Sequence, residues 1–318
     1  MKKTVLIALL IPFFTFAQAN KLFRKAMRTT DLTERIDLLS QAIVEDSQHL
    51  DAYFQRALAR DQMGDFSAAI LDYTKVIFFE PGADSYYNRG NSKYKLMDFM
   101  GAKEDYAQAL VLDPQFIEAR YSLASAKYEL KDYEEAIKDL NIVIKLLPEY
   151  EGAYRLRGFA YAALDKSLEA LRDFSLVILL KPTSDAYFNR GVSYLDINYY
   201  QQANDDFSTA LKIDKDNSLV YFFKGNSHFL LGEYDQAFLD FNTALGFDTL
   251  DYDAVIGLAL TYYKTGNLEN SKLQFEKAKR ILGASSQNKK GIEVFDNTYW
   301  FVNQYYVFNE NYEKLSRL

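Results

Sequence analysis

The chain has 318 residues, of which 49% are hydrophobic and 25% charged, so it can bury a large apolar surface and is not a disordered polypeptide. Its formal net charge of −7, with no basic run beyond the first three residues, disfavours nucleic acid as a partner. Cysteine is absent, which excludes disulfide frameworks, thiolate metal sites and a lipoprotein anchor. Aromatic residues make up 16% of the chain, so many rings must be packed or used in binding.

The first 19 residues have the organisation of a secretory signal peptide. Two lysines precede an apolar run over residues 5–16, and small residues follow at Ala17 and Ala19, after either of which we expect cleavage. The run is short for a bilayer span, which disfavours the alternative of a retained anchor. We therefore predict an exported, soluble protein of the periplasm or the extracellular space, with no membrane span after cleavage.

Residues 50–282 repeat one pattern seven times, with a period of 33 or 34 residues. Each copy has an aromatic position, a small residue four positions later, an alanine in its second half and then a large residue. In chain order these four columns are Tyr53, Tyr86, Arg120, Tyr154, Tyr187, Tyr221 and Val255; Ala57, Gly90, Ala124, Gly158, Gly191, Gly225 and Ala259; Ala69, Ala102, Ala136, Ala170, Ala203, Ala237 and Ser271; and Tyr73, Tyr106, Leu140, Phe174, Phe207, Phe241 and Phe275.

Apolar residues within each copy recur at helical spacing in two stretches, so every copy is predicted to be a pair of helices. The small column lets the two helices approach closely beside the large column. Between them lie turn sequences such as MGDF, NYY and GNL, where Gly or Asn takes left-handed angles and Asp caps the next helix. A proline at one place in the period ends the second helix in four copies, at Pro81, Pro114, Pro148 and Pro182.

The two ends of the chain depart from this pattern. Residues 20–49 fit a degenerate first repeat, with Leu38, Leu39 and Ala42 in the register of the second helix. Residues 283–291 are a polar link. Residues 292–318 are predicted to form capping helices with a turn at 309–311, because the last repeat of an array has no neighbour to cover it. The many aromatic residues of this segment also leave a docking surface or self-association through 292–318 open.

The columns resemble those of the tetratricopeptide repeat family over residues 50–282. The resemblance implies an all-α fold, a right-handed superhelical solenoid of antiparallel helix pairs, in which the first helix of each pair lines a concave groove. The candidate groove residues on those helices are Phe54, Tyr87, Asn88, Asn91, Tyr121, Arg155, Phe188, Asn189, Phe222, Phe223 and Asn226.

Aromatic rings offer large contact area, and amide side chains can both donate to and accept from a peptide backbone. A groove of this composition suits an extended or helical protein segment. The family's carboxylate clamp is not matched, because Asn91 fits one of its positions but Tyr87 and Ser122 do not fit the neighbouring ones. Two alternatives remain: individual aromatics can serve packing between helices, or the groove can capture a small molecule or a glycan.

Two charged columns accompany the repeats. Basic residues precede the small column at Arg56, Arg89, Arg157, Arg190 and Lys224. Aspartates of the second helix form the other column: Asp72, Asp105, Asp139, Asp173, Asp206 and Asp240. The last copy has lost both members, so we expect ion pairs within or between repeats, with an anion-binding row of arginines as the alternative.

Nothing in the sequence indicates catalysis. The only histidines, His49 and His228, are far apart, and no catalytic triad, phosphate-binding loop or zinc motif occurs. His228 shares a column with tyrosines and is predicted to be packed. We expect no catalytic residue, metal or cofactor, and a scaffold or adaptor of the cell envelope that binds protein rather than an enzyme.

Overall fold

A computed structural model describes residues 16–283 and 289–318 of the chain. Residues 1–15 and 284–288, which hold most of the predicted signal peptide and half of the predicted link, lie outside the described residues. The described part contains helices and no strand, so the predicted all-α class is confirmed. No helix in this part is long and apolar enough to cross a membrane.

The helices alternate between 13 and 14 residues through most of the repeats. They are α1 (residues 16–26), α2 (Leu32–Glu45), α3 (Leu50–Gln62), α4 (Phe66–Phe79), α5 (Ala83–Lys95), α6 (Phe99–Leu112), α7 (Ile117–Glu129), α8 (Tyr133–Leu146), α9 (Glu151–Ala163), α10 (Ser167–Leu180), α11 (Ser184–Asp196), α12 (Tyr200–Ile213), α13 (Ser218–Leu231), α14 (Tyr234–Phe247), α15 (Tyr252–Lys264), α16 (Leu268–Leu282), a 3₁₀ helix (Gly291–Phe295), α17 (Tyr299–Asn303) and α18 (Tyr305–Ser316).

The chain divides into two compact units, Met1–Pro148 and Glu149–Leu318. We call the odd-numbered helices from α3 to α15 the A helices and the even-numbered helices from α4 to α16 the B helices. In the first unit each B helix up to α6 packs on its own A helix and on the next one, and the second unit repeats this order from α10 to α14. Each unit is thus a stack of helix pairs.

Within a pair, a small residue of the A helix meets a large residue of the B helix. A Cβ atom built on Gly191 would lie 2.6 Å from ring carbon Cε1 of Phe207, and one on Gly158 would lie 2.8 Å from Phe174. These rings are fully buried or nearly so. In these two repeats the A helix therefore needs glycine at this position, and the small column holds only Gly or Ala in all seven repeats, as the close approach of the helices requires.

The turn from A helix to B helix contains a left-handed residue in every repeat. Glycine supplies it in three repeats, Asn198 in one, and three larger residues in the others: Met97, Lys131 and Asp165, with φ of 62°, 64° and 57°. The predicted aspartate caps form only in part. Asp65 and Asp98 accept hydrogen bonds from backbone N–H groups, whereas Asp132 instead accepts one from Lys103 Nζ at 2.6 Å.

The two charged columns form ion pairs inside single repeats. Arg190 donates two hydrogen bonds of 2.7 Å to Asp206, and Arg89 and Asp105 are joined in the same bidentate way at 2.8 and 2.7 Å. Each aspartate is buried, so removing its basic partner would leave a buried charge unpaired. Because their guanidinium groups are engaged in this way, the arginines are structural, and the alternative of an anion-binding row is not supported.

The repeat that keeps the aspartate but lacks the basic residue of this column obtains its positive charge elsewhere. Leu123 occupies the basic position, and Asp139 is instead paired with Arg120 at 3.3 Å and with Lys127 at 2.7 Å. Arg120 stands where most other repeats have a tyrosine. In the second unit His228 takes the place of Lys127, with Nδ1 2.6 Å from Asp240 and Nε2 2.7 Å from the Asn204 amide. It is buried, as predicted.

Replacing Gly191 by alanine tests the close approach of the helices. Because the added Cβ overlaps the Phe207 ring, we expect Gly191→Ala to lower the free energy of unfolding by about 1–3 kcal/mol in denaturant titrations. Gly246 is the matched control: it lies exposed in α14 with no atom within 4 Å of an added Cβ. Gly246→Ala should raise stability by roughly 0.5–1 kcal/mol. Equal effects of both would contradict the packing argument.

The left-handed lysine in the turn before α8 gives a second test. Since glycine adopts this conformation without a Cβ penalty, Lys131→Gly should raise the free energy of unfolding by roughly 0.5–1 kcal/mol. The control Lys138→Gly, at an exposed position inside α8, should lower it by about 1 kcal/mol. A loss of stability in both variants would show that the left-handed angle carries no strain.

Candidate functional site: the A-helix faces

The first unit has an open cavity between the A helices α5 and α7 and the B helix α6. Its volume is about 340 Å³. It is lined by Asn91, Tyr94, Lys95, Tyr106, Tyr121, Ser122 and Ser125. Rings form its walls, while hydroxyl, amide and ammonium groups surround them, so it can hold an apolar side chain and hydrogen-bond the backbone that carries it.

The tyrosines of this cavity are held in place by polar partners. Tyr94 donates to Glu129 at 3.3 Å, and burial together with that carboxylate raises the pKa of Tyr94 to about 12. The hydroxyl of Tyr106 donates to the side-chain oxygen of Asn91 at 2.8 Å, and burial raises the pKa of Tyr106. Tyr94 and Tyr106 are therefore neutral at neutral pH and held in place by these hydrogen bonds. Asn91 keeps its amide N–H₂ for a ligand.

The other predicted residues of the first unit divide between packing and the open face. Phe54 lies half-buried, with its ring 5.7 Å from that of Tyr73. Tyr87 contacts Phe116 at 4.8 Å, and Asn88 donates to the Asp84 carbonyl at 2.8 Å within its own helix. Of the predicted groove residues in this unit, Asn91 and Tyr121 line the cavity.

The second unit differs because a segment of its own covers the A-helix face. We call residues 298–307 the strap. Tyr299 contacts the rings of Phe222 and Phe223 at 5.4 and 5.1 Å, and Trp300 contacts Phe229 at 5.6 Å. Trp300 is fully buried in its own chain, so a direct role in self-association, one of the expectations for residues 292–318, is not available to it.

The prediction of an open groove is corrected at two positions. Phe222, which contacts Tyr299 of the strap, is 4% exposed, and Asn226 is 0% exposed, so neither is open to a partner in this structure. Asn226 lies four residues after Phe222 on the same helical face, and its side-chain oxygen and nitrogen have no hydrogen-bond partner. An unpaired buried amide is costly, on the order of 1–3 kcal/mol for each group.

The remaining predicted residues of this unit are Phe188, Arg155 and Asn189, and each of them makes a contact within its own unit. Phe188 packs against Phe223 with ring centroids 5.2 Å apart. Arg155 is exposed and pairs with Glu151 one helical turn away, at 3.0 Å. Asn189 is half-buried, and its backbone carbonyl accepts a hydrogen bond from Ser193.

The segment around the strap covers the last B helix. Phe295 stacks on Phe275 of α16 at 5.4 Å, and Phe308 contacts Phe295 at 5.2 Å. The predicted turn at residues 309–311 is wrong: α18 runs unbroken from Tyr305 to Ser316, and the break lies at Gln304. Phe308, Asn311 and Leu315 form one buried face of α18, and this helical spacing outweighs the local turn preference of asparagine.

Asp253 of α15 holds the strap and was not anticipated from the sequence. Its Oδ1 accepts the Tyr299 backbone N–H at 2.9 Å, and its carbonyl accepts Trp300 Nε1 at 2.9 Å. Burial raises the pKa of Asp253 to about 7, and the neighbouring charge of Asp251 adds to the rise. Tyr252 on the same helix also lies near this carboxylate. Tyr299 faces Asp253 from the strap, Asp196 and Tyr200 also lie near Tyr299, and burial raises the pKa of Tyr299.

The strap should therefore be pH-sensitive. With the strap closed, burial holds the pKa of Asp253 at about 7 although the hydrogen bonds from Tyr299 and Trp300 lower it. With the strap open and the carboxyl group hydrated, we expect the pKa to return towards its ordinary value of 3.8. The extra stability of the closed state is complete below 3.8, falls as the pH rises and is lost above about 7. Between these limits each pH unit favours opening by up to about tenfold.

Hydrogen exchange of the Tyr299 and Trp300 amides measures this opening, provided that the wild type is compared with Asp253→Asn. The variant keeps an acceptor oxygen but cannot ionise. The ratio of the wild-type exchange rate to that of the variant therefore removes the intrinsic pH dependence of exchange. We expect that ratio to rise between pH 4 and pH 7 and then level off. A ratio that is flat over this range would show that Asp253 does not control the strap.

The described residues contain no group of three or more His, Cys, Asp or Glu side chains placed to hold a metal ion.

Sequence profiles described as tetratricopeptide repeat match residues 50–78, 83–116, 118–150, 188–251 and 252–281. Together these matches span more than half of the chain. The chain belongs to the tetratricopeptide repeat family. No curated protein has a matching sequence.

Solved structures of tetratricopeptide repeat proteins resemble this one. The crystal structure of MamA has 26% sequence identity with a TM-score of 0.51, covering 53% of this chain and 93% of MamA. YrrB, described as a TPR protein with an unusual peptide-binding site, has 23% identity and a TM-score of 0.51, covering 57% of this chain and 95% of YrrB. A repeat protein from Parabacteroides merdae ATCC 43184 has 18% identity and a TM-score of 0.57, covering 77% and 99%.

Proposed function

We propose that this tetratricopeptide repeat protein is a non-catalytic scaffold or adaptor that binds a segment of another protein on the A-helix face of its first unit. The observation that carries this proposal is the open cavity between α5, α6 and α7. In it the rings of Tyr94 and Tyr121 lie beside the side-chain N–H₂ group of Asn91 and the hydroxyls of Ser122 and Ser125. Rings provide the contact area and the polar groups match a peptide backbone.

The charges around this cavity restrict the charge that a partner segment can carry. Lys95 is a cation in its lining, and Glu129 is engaged with Tyr94. A segment with an apolar or aromatic side chain and a nearby carboxylate therefore suits this face better than a basic one. The YrrB comparison supports the fold of such a site but not its ligand, which the first unit's own residues must define.

We also propose that the chain acts outside the cytoplasm, in the cell envelope. This part of the proposal rests on the sequence of residues 1–19, where two lysines, an apolar run and small residues follow one another. Determining the N-terminal residue of the protein recovered from the envelope of its producing cells would test cleavage after Ala17 or Ala19. A mature protein that still begins at Met1 would contradict export by this route.

Selection of displayed peptides on the full chain tests the binding face. Peptides recovered should carry an apolar or aromatic residue, and Tyr121→Ala should weaken their binding by about tenfold or more, measured by calorimetry. Phe78→Ala is the matched control, because Phe78 is an aromatic residue of the same unit that is 77% exposed on the B helix α4. It should leave affinity unchanged.

Two results would overturn this function. Selected peptides that bind wild type and Tyr121→Ala equally would place binding elsewhere on the chain. Glycans that bind in a parallel panel, with loss on Tyr121→Ala and no peptide recovered, would replace the scaffold by the carrier alternative, since tyrosine rings also stack on sugars. Circular dichroism of both variants must match the wild type, so that a loss of binding is not a loss of folding.

A further inference from the structure

The strap of the second unit borders a second cavity. It has a volume of about 660 Å³ and lies between the strap and the A-to-B turns that follow α9 and α11. The polar side chains of its lining are Asp165, Ser167, Asp196, Asn198, Asn303 and Gln304, and Tyr200, Tyr305 and Tyr306 add aromatic rings. No lysine, arginine or histidine lines it.

The two carboxylates of this cavity have no countercharge. No ion pair or hydrogen bond joins the side chain of Asp165 or Asp196 to another described residue. Asp165 and Asp196 are both exposed, but the residues around Asp196 remove part of its water, and this desolvation, helped by the charge of Asp165, raises the pKa of Asp196 to about 6. A cation in this cavity would offset both the loss of water around Asp196 and the repulsion between the two carboxylates.

The strap itself cannot supply that cation. Residues 297–309, which include the whole strap, contain no charged side chain. The strap places Tyr299 and Trp300 against the A helices and Asn303 and Gln304 in the cavity wall. The strap therefore provides rings for the aromatic part of this surface but no positive charge for the part that contains Asp165 and Asp196.

We infer that the A-helix face of the second unit is a second binding surface, for a partner segment that carries two adjacent aromatic residues followed three or four residues later by lysine or arginine. The strap occupies this surface in cis as an uncharged substitute. A partner segment of this kind keeps the ring contacts with Phe222, Phe223 and Phe229 and adds an ion pair with Asp165 or Asp196. This surface is distinct from the first unit's cavity, which contains a lysine and favours an acidic segment.

Two features make the exchange of strap for partner feasible. The strap is held by ring contacts and by hydrogen bonds from Tyr299 and Trp300 to Asp253, all of which a similar segment can reproduce. One helical turn after Phe222, Asn226 is buried without partners for either amide atom, which costs the closed state free energy that a partner able to hydrogen-bond this amide can recover. The strap is therefore not an optimal occupant.

Substitutions at Asn303 test the acidic half directly, in the full chain. The readout is the hydrogen-exchange protection of the Tyr299 amide together with acrylamide quenching of Trp300, the single tryptophan of the chain. Asn303→Lys should slow exchange by about threefold or more, and Asn303→Glu should speed it by a similar factor. Asn303→Gln should change neither the exchange rate nor the quenching of Trp300. In an Asp165→Asn, Asp196→Asn background the Lys and Glu variants should no longer differ.

A competition experiment tests the partner. The probes are synthetic peptides of residues 297–309 with phenylalanine in place of Trp300, so that the chain's own Trp300 is the sole reporter. One peptide carries lysine at the position of Asn303, one keeps asparagine and one carries glutamate. The lysine peptide should shift Trp300 emission to longer wavelength at about tenfold lower concentration than the asparagine peptide, and the glutamate peptide should be the weakest.

The outcomes separate this inference from the function proposed above. Tyr121→Ala should leave displacement of Trp300 unchanged, because it changes only the first unit's cavity. Equal exchange in the Lys and Glu variants would overturn the cation site. If the exchange rates of the Asn303 variants rank as expected but no peptide exposes Trp300, the second binding surface is overturned and the strap is a permanent part of the fold. Peptide binding that Tyr121→Ala abolishes would assign the peptide to the first unit instead.

Discussion

The contact on which each helix pair depends is that between a glycine or alanine of the A helix and a large side chain of the B helix. The residue before the glycine is the arginine of the ion pair, and the residue before the ring is its aspartate, as in Arg89–Gly90 and Asp105–Tyr106. Once the ring of Tyr106 lies against Gly90, the guanidinium and the carboxylate meet at 2.7 Å. One steric condition therefore sets both the spacing of the helices and their electrostatics.

Because these contacts use only part of the surface of each A helix, the rest of that surface is free to vary between repeats. The two units use this freedom differently. In the first unit this surface borders an open cavity lined by tyrosine rings and a lysine. In the second unit it is covered by Tyr299 and Trp300 and bordered by the carboxylates of Asp165 and Asp196. The same backbone pattern thus presents two surfaces of different charge.

The features that recur with the repeat could be predicted from the sequence, because seven copies restate the same physical requirement. The helix pairs and the small-against-large contact at Gly191 and Phe207 are examples. The ion pairs were expected within or between repeats, and the structure places them within. Features that occur once could not be predicted in this way. The bond from Trp300 to the carbonyl of Asp253 joins residues 47 positions apart, and no period in the sequence links them.

Local preference also misled the prediction where it opposed packing. Two asparagines, at positions 309 and 311, indicated a turn. The buried face of Phe308, Asn311 and Leu315 instead keeps α18 helical, with Asn311 Nδ2 donating to the Val307 carbonyl at 2.6 Å. Among the candidate groove residues, Phe222 and Phe188 have the same sequence context, phenylalanine after tyrosine on an A helix. Only the strap, which is distant in sequence, makes one of them buried.

A strap that belongs to the same chain has a further consequence for how the second unit behaves on dilution. Its local concentration is fixed by the length of chain that connects it to α16, so it does not fall when the protein becomes scarce. An occupant that is free in solution leaves its site below its dissociation constant, but a tethered one stays. The A-helix face of the second unit therefore remains covered at any concentration of the protein itself.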